Sequence, residues 1–245
     1  MKTWIPAFAG MTKLPHSISL TLRPHMVSKS ESLDQKKSRA AEIVKLLKKR
    51  YPEDPKTALD YTTTLELLVA TILSAQCTDA RVNVVTKALF KKYRTAKDYA
   101  GISQEEFEQD IRSTGFYRNK AKNIISMAQA LLKDHGGVVP ATMEELVKLP
   151  GVGRKTANLI LSIVHGIPGI VCDTHVIRVS GRLGLTGNKD PEKIEYDLYE
   201  VIARKDWIAF SNRLIMHGRD TCSAKKPDCP GCVLNKICPS AFSFG

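Results

Sequence analysis

The sequence predicts an all-α fold. Apolar residues recur at helical spacing in segment after segment, and several of these segments open with a Thr or Asp of the kind that caps a helix. No segment shows the sustained alternation of apolar and polar residues that is typical of a strand. Of the 245 residues, 43% are hydrophobic and 25% are charged, which is ordinary for a globular protein and excludes collagenous, coiled-coil and wholly disordered chains.

The first 30 residues contain no Asp or Glu and show neither helical nor alternating periodicity. We expect residues 1–35 to be a disordered or misassigned tail, with translation starting at Met1 or at Met26. A secretory signal is not expected, because Pro6 and Gly10 interrupt the short apolar patch. An organelle transit peptide is the remaining alternative, because the segment is basic and bears Ser and Thr.

The helices follow one another in short segments separated by turn signals. The first is predicted over residues 38–50, where apolar side chains share one face and the sequence YPEDP ends the helix. The second lies in TTLELLVATILSAQ, where Thr63 and Glu66 have the form of a capping box. Further helices are predicted over residues 81–93, 104–112, 118–134, 142–149, 154–165, 174–183, 191–202 and 207–218.

One internal repeat is visible. Placing IRSTGFYRNKAKNII over VKLPGVGRKTANLI aligns Gly115 with Gly151 and gives helix, glycine turn and helix in both copies. A true duplication and a chance similarity between two amphipathic helix pairs both remain open. If the duplication is real, we expect the basic residues Arg118, Lys120 and Lys122 of the first copy to face a phosphate backbone.

The charge balance favours a polyanionic partner. The chain has 37 Lys and Arg against 25 Asp and Glu, which leaves a net charge of +12 and a sequence pI of about 9.4. An excess of this size suits nucleic acid, with general solubility as the plain alternative. No apolar run approaches the roughly 20 residues of a membrane span, so we expect no membrane association.

The second copy of the repeat carries the clearest chemistry. Gly151 and Gly153 let the backbone approach another surface without a Cβ in the way, and the free N–H groups of the following helix point into that space. This arrangement suits an anion such as phosphate. Arg154 and Lys155 lie in the first turn of that helix, where their positive charges oppose the helix dipole. A plain helical hairpin with solvated basic residues is the structural alternative.

Asp173, in HGIPGIVCDTHVIRV, allows two interpretations. The first is a cap of the helix that starts at Thr174, which is a common position for aspartate. The second is a carboxylate beside Lys155 that moves a proton or stabilises positive charge.

Four of the six cysteines lie close to the end of the sequence, with the spacing C-x6-C-x2-C-x5-C. They are Cys222, Cys229, Cys232 and Cys238. Disulfides would need an oxidising compartment that nothing in the sequence indicates, whereas four thiolates can hold zinc or an iron–sulfur cluster. Cys77 and Cys172 stand outside this spacing, and we expect both to be buried apolar residues.

These motifs together resemble one family. LPGVGRKTA is similar to the DNA-binding helix-hairpin-helix motif, and its order before CDTH and the cysteine loop resembles the endonuclease III family of DNA glycosylases. The resemblance covers residues 38–238 and implies two all-α domains with a DNA-binding cleft between them. It implies a helical barrel domain with the hairpin over residues 57–168, and a cluster domain made of residues 36–56 and 169–245.

The resemblance also assigns roles to individual residues. Lys155 is implied to be the nucleophile, and Asp173 the carboxylate for proton transfer. The hairpin residues Gly151, Gly153 and Arg154 are implied to bind DNA, with the helix N-terminus and Arg154 helping to keep Lys155 unprotonated. Gln76 in SAQCTD is implied to fill the gap left by an extruded base, and Phe116 is a second wedge or a core residue. The four C-terminal cysteines are implied to ligate one [4Fe-4S] cluster.

The implied function is bifunctional base excision repair. The protein would release oxidised pyrimidines from double-stranded DNA and would cleave the resulting abasic site by β-elimination through a lysine Schiff base. One alternative is an adenine-specific mismatch glycosylase, which generally lacks the hairpin lysine and usually continues past the cluster, whereas this chain stops at Gly245. The other is a non-catalytic DNA-binding metalloprotein. We expect a monomer, cytoplasmic and nucleoid-associated in a bacterium, and nuclear or organellar in a eukaryote.

Overall fold

The computed structural model describes residues 31–52 and 57–244. Within these ranges the chain forms eleven α-helices and two 3-10 turns, at Arg112–Thr114 and Arg204–Asp206, and no strand. The all-α prediction is therefore confirmed. The helices are α1 (Leu33–Arg50), α2 (Thr64–Leu73), α3 (Asp79–Lys92), α4 (Ala96–Gly101), α5 (Gln104–Ile111), α6 (Tyr117–His135), α7 (Met143–Leu146), α8 (Arg154–Val164), α9 (Thr174–Arg182), α10 (Pro191–Val201) and α11 (Trp207–Asp220).

Helix α1 begins earlier than the periodicity predicted. The Ser32 hydroxyl accepts a hydrogen bond from the Gln35 backbone N–H at 3.2 Å, and the Gln35 side chain accepts one from the Ser32 N–H at 2.9 Å. This capping box starts the helix before its first buried residue, so the predicted tail is wrong over residues 33–35. The rest of that tail up to residue 30, with the alternative start at Met26 and the transit peptide, lies outside the described residues.

Two further helices differ from the expectation. Helix α4 was not predicted because it has only six residues, but the Thr95–Asp98 capping box and the buried side chain of Tyr99 stabilise it. Helix α7 ends at Leu146 rather than at residue 149. The residues after Leu146 that were predicted to be helical form a turn instead, in which the backbone N–H of Val152 donates to the Leu149 carbonyl at 3.1 Å.

The buried apolar side chains form two clusters within one compact unit that begins at Ser32. The first cluster draws its residues from positions 59–163 and contains buried side chains of every helix from α2 to α8. The second combines α1 with residues 170–234, so it unites two distant parts of the chain. The predicted domain boundaries at residues 57 and 168 stay a prediction. Among the described residues, no helix has the length and apolar character to cross a bilayer.

Two packing contacts position the candidate site. Helix α8 packs against α2 in the first cluster, and α9 packs against α11 in the second. The apolar face of α8 is buried through Ala157, Ile160 and Leu161, which fixes the beginning of the helix relative to the end of α2.

Candidate functional site

The hairpin before α8 has an open, uncapped helix N-terminus. Gly153 is the N-cap residue, and no side chain of the described residues makes the capping hydrogen bond there. A Cβ on Gly153 would meet no atom within 4 Å, whereas a Cβ on Gly151 would lie 2.8 Å from the Asn123 Cβ. Gly151 also has a φ of +76°, which favours glycine. The first N–H groups of α8 are therefore available to an anion.

Arg154 contacts α10. Its Nε donates to Glu195 Oε2 at 2.8 Å and its Nη2 donates to Glu195 Oε1 at 3.1 Å, and a further ion pair joins it to Glu192. The hydrogen bonds that Arg154 donates to Glu195 raise the pKa of Arg154 above its ordinary value. Buried Glu195 therefore holds the charge of Arg154 in an ion pair with α10. Its contact with DNA stays a prediction.

Lys155 and Asp173 border the same cavity. The cavity has a volume of about 210 Å³, and its lining comes from the end of α2, the start of α3, α8 and α11. Among the polar groups that also line it, Ser74 and Asp79 are the two ends of the SAQCTD segment, in which the sequence analysis assigned a functional role only to Gln76. Asn212 and Arg219 line it as well, and no motif marks them. Lys155 is exposed and Asp173 is half-buried. The cavity therefore brings an amine and a carboxylate together where the two apolar clusters meet.

Asp173 also caps α9. Its Oδ1 accepts hydrogen bonds from the backbone N–H groups of His175 at 2.9 Å and Val176 at 2.8 Å. The cap interpretation is thus confirmed, and it is compatible with the second one, because the same carboxylate lines the cavity. The two backbone donors hold the carboxylate in one orientation.

Gln76 and Phe116 share a backbone conformation that is uncommon for residues other than glycine. Their φ angles are 53° and 47°, and both side chains are exposed, Phe116 by 64%. Such left-handed residues cost about 1–3 kcal/mol each and cluster at functional sites. Phe116 is therefore not a core residue, which removes one of the two interpretations that its sequence allowed.

The first hairpin corrects one prediction. Lys120 does not face outward: it is 4% exposed, and its Nζ donates to the Leu73 and Thr114 carbonyls, each at 2.8 Å. Arg118 and Lys122 are exposed as expected. The signal was present in the sequence, because position 120 lies four residues before buried Ile124 and so falls on the apolar face of α6. The origin of the two hairpins by duplication stays a prediction.

The four C-terminal cysteines line a second, smaller cavity of about 30 Å³. Three groups approach their sulfur atoms: Arg182 Nη1 donates to Cys222 Sγ at 3.2 Å, the Leu234 N–H donates to Cys232 Sγ at 3.4 Å, and His217 Nε2 lies 3.5 Å from Cys232 Sγ. Burial raises the pKa of the Cys232 and Cys238 thiols.

The described residues contain no group of three or more His, Cys, Asp or Glu arranged to hold a metal ion. All six cysteines lie within the described residues, and none of them forms a disulfide. Cys172 is buried, as expected, and Cys77 is half-buried against the first apolar cluster.

Comparison with known proteins agrees with this geometry. A family model described as HhH-GPD superfamily base excision DNA repair protein matches residues 69–204. The chain is 52% identical over 217 residues to endonuclease III of Synechocystis sp., an alignment that covers 88% of this chain and 99% of that relative. Two solved endonuclease III–DNA complexes, one a trapped covalent intermediate and one non-covalent, each match at 44% identity with a TM-score of 0.80, across 84% of this chain and 97% of theirs. The chain therefore belongs to the endonuclease III family, within the helix-hairpin-helix superfamily of base excision DNA repair proteins.

Proposed function

We infer that the protein is a DNA glycosylase and abasic-site lyase that removes oxidised pyrimidines from double-stranded DNA. The observation that carries this conclusion is the cavity shared by Lys155 and Asp173, directly beside the uncapped N-terminus of α8. An adenine-specific glycosylase would leave the lysine without a purpose. A non-catalytic DNA-binding protein would need neither the Lys155 amine nor the Asp173 carboxylate in this cavity.

The hairpin supports DNA binding through its backbone. A phosphate can reach the free N–H groups of α8 because Gly153 presents no side chain, and the net charge of +12 adds long-range attraction. The relatives that were solved with DNA share this fold. We propose that a single chain acts alone, because one chain supplies both groups that the reaction needs, the Lys155 amine and the Asp173 carboxylate.

The chemistry begins with extrusion of the damaged base, since the sugar carbon is out of reach while the base is stacked. The neutral amine of Lys155 then attacks C1′, so that the N–C1′ bond forms while the bond from C1′ to the base breaks and the base leaves with the electron pair. The amine proton passes to a proton acceptor, and the Asp173 carboxylate at the cavity wall is positioned for this role. The nitrogen lone pair then opens the sugar ring, so that the C1′=N bond of the Schiff base forms while the C1′–O4′ bond breaks and O4′ takes up a proton. The Schiff base withdraws electrons from C2′, and loss of a C2′ proton expels the 3′ phosphate.

We propose that Gln76 and Phe116 occupy the space that the extruded nucleotide leaves. Both are exposed and held at strained backbone positions, as expected for side chains that must enter a duplex.

We also propose that Cys222, Cys229, Cys232 and Cys238 hold one [4Fe-4S] cluster. Four thiols around one cavity, with N–H donors aimed at two of the sulfur atoms, form a donor set that suits such a cluster. A bound cluster would supply iron–thiolate bonds that join the parts of the C-terminal loop to one another, starting at Cys222 shortly after α11.

The cysteine assignment predicts a coloured protein. Purified protein should be yellow-brown, with iron and acid-labile sulfide in equal amounts, because thiolate-to-iron charge transfer absorbs visible light and the filled d shell of zinc does not. Cys229→Ser should lose the colour, while Cys77→Ser should keep it, because Cys77 lies against the first apolar cluster. Colourless wild-type protein with stoichiometric zinc would contradict the assignment.

The two hairpin glycines should respond differently to alanine. Gly153→Ala should weaken binding to duplex DNA about tenfold without lowering the melting temperature, because its Cβ meets only open space and its φ of −90° suits any residue. Gly151→Ala should instead lower stability by about 1–3 kcal/mol, since it forces a side chain into the left-handed region and against Asn123. Binding and thermal unfolding, measured at one salt concentration, check both. Unchanged binding by Gly153→Ala would mean that no phosphate approaches the hairpin.

The function is tested with a duplex that carries one oxidised pyrimidine, incubated with and without borohydride. We expect strand cleavage without borohydride and a covalent protein–DNA adduct with it. Release of the pyrimidine without cleavage or adduct would exclude the lyase step. Release of adenine alone, from a second duplex that carries an adenine mismatch, would indicate the adenine-specific branch. Binding without any product would indicate the non-catalytic alternative.

A further inference from the structure

Lys120 is a buried cation bonded to two backbone carbonyls from different parts of the chain. Its Nζ lies 2.8 Å from Leu73 O and 2.8 Å from Thr114 O, across 47 and 6 positions of sequence. Leu73 is the last residue of α2, and Thr114 is the last residue of the first 3-10 turn. One ammonium group therefore connects the ends of two elements that are followed by loops.

The two loops are the ones that carry the proposed wedges. Gln76 comes three residues after Leu73, and Phe116 comes two residues after Thr114. The loops' own backbone hydrogen bonds are local, such as Cys77 N–H to Ser74 O at 3.1 Å, whereas the bonds of Lys120 run from one loop to the other. Lys120 thus links the start of the loop that contains Gln76 to the start of the loop that contains Phe116, the two left-handed residues.

Burying a lysine is expensive unless its donors are satisfied. Desolvation lowers the pKa of Lys120, and an apolar side chain would fill the same place on α6 without that penalty. The lysine adds two directional hydrogen bonds that an apolar residue cannot make. Such bonds fix the position of the loops more than they increase stability.

We propose that Lys120 is a positioning residue for base extrusion, which holds the Gln76 and Phe116 loops at a fixed separation so that both side chains enter the duplex at the same nucleotide. The proposal rests on the proposed function, because it concerns the extrusion step of that reaction. Lys120 touches no reacting atom, and its effect is confined to substrates whose base must first be unstacked.

The test compares two substrates under single-turnover conditions. One is a fully paired duplex with an oxidised pyrimidine, and the other holds the same lesion in an unpaired bubble, where extrusion costs less. Lys120→Met removes the donors but keeps the length of the side chain. We expect it to release the base from the paired duplex about tenfold more slowly, as expected for the loss of two charged hydrogen bonds, and from the bubble at nearly the wild-type rate. Lys133→Met, an exposed lysine on the same helix, should leave both rates unchanged.

The ratio of the two rates separates positioning from general damage. An equal loss on both substrates would overturn the proposal and leave the proposed function intact, whereas a wild-type protein inactive on both would overturn the proposed function and the proposal with it. If Lys120→Met does not fold, the test is made in protein that keeps Lys120. Base release is then compared among Gln76→Ala, Phe116→Ala and the double variant. Linked loops predict non-additive losses on the paired duplex, and additive losses would overturn the proposal.

Discussion

Lys155→Ala should abolish the borohydride-trapped adduct and strand cleavage, while binding to damaged duplex stays close to wild type. The amine is the atom that bonds to C1′, so no other group of the cavity can replace it in forming a Schiff base. The backbone donors at the start of α8 remain in the variant and continue to bind phosphate. Gel analysis after borohydride reduction and an affinity measurement at fixed salt check the two halves of this expectation.

The matched control is Lys148→Ala. Lys148 is an exposed lysine of the same hairpin that does not line the cavity, so its loss should leave the adduct unchanged. An adduct that persists in Lys155→Ala would assign the nucleophile to another amine.

Asp173→Asn should slow base release about 100-fold, because an amide can neither take up a proton nor stabilise a cationic sugar as a carboxylate does. Asparagine still offers Oδ1 to the N–H groups of His175 and Val176, so helix α9 should keep its cap and the melting temperature should change little. Asp173→Ala should lose both the rapid base release and the cap of α9, and the loss of the cap should lower stability by about 1 kcal/mol. Single-turnover base release and thermal unfolding measure these effects separately.

Asp190 supplies the control for the cap. It caps α10 in the same way, because its Oδ1 accepts hydrogen bonds from the backbone N–H groups of Glu192 at 3.1 Å and Lys193 at 3.0 Å, and it does not line the cavity. Asp190→Ala should therefore cost similar stability without slowing base release. Full activity in Asp173→Asn would reduce Asp173 to a helix cap.

Local patterns were enough to predict most of the helices and the turn of the second hairpin. Apolar spacing and capping residues act within a few positions, and the left-handed Gly151 follows from the sequence of the turn itself. Helix α4 was missed because six residues are too few for periodicity to be visible.

The side-chain partners could not be predicted in the same way. The carboxylate that neutralises Arg154 lies 41 positions away, and one of the carbonyls that bind Lys120 lies 47 positions away. Such contacts depend on how helices pack, which the sequence of a single segment does not contain. The cavity was anticipated only through its two motif residues, and Asn212 and Arg219 came into it through the packing of α11.

The second apolar cluster has a consequence for the order in which the chain folds during synthesis. Helix α1 leaves the ribosome first, yet its partners α10 and α11 are made last, and Arg213 Nε donates to the Tyr51 carbonyl across 162 positions. The first cluster, drawn from residues 59–163, can collapse while the rest is still being translated. Until α10 and α11 are made, the apolar face of α1 has no partner, so we expect a chaperone that binds nascent helices to act on this segment. Translation that stops soon after residue 163 would leave a chain in which only the first cluster is complete.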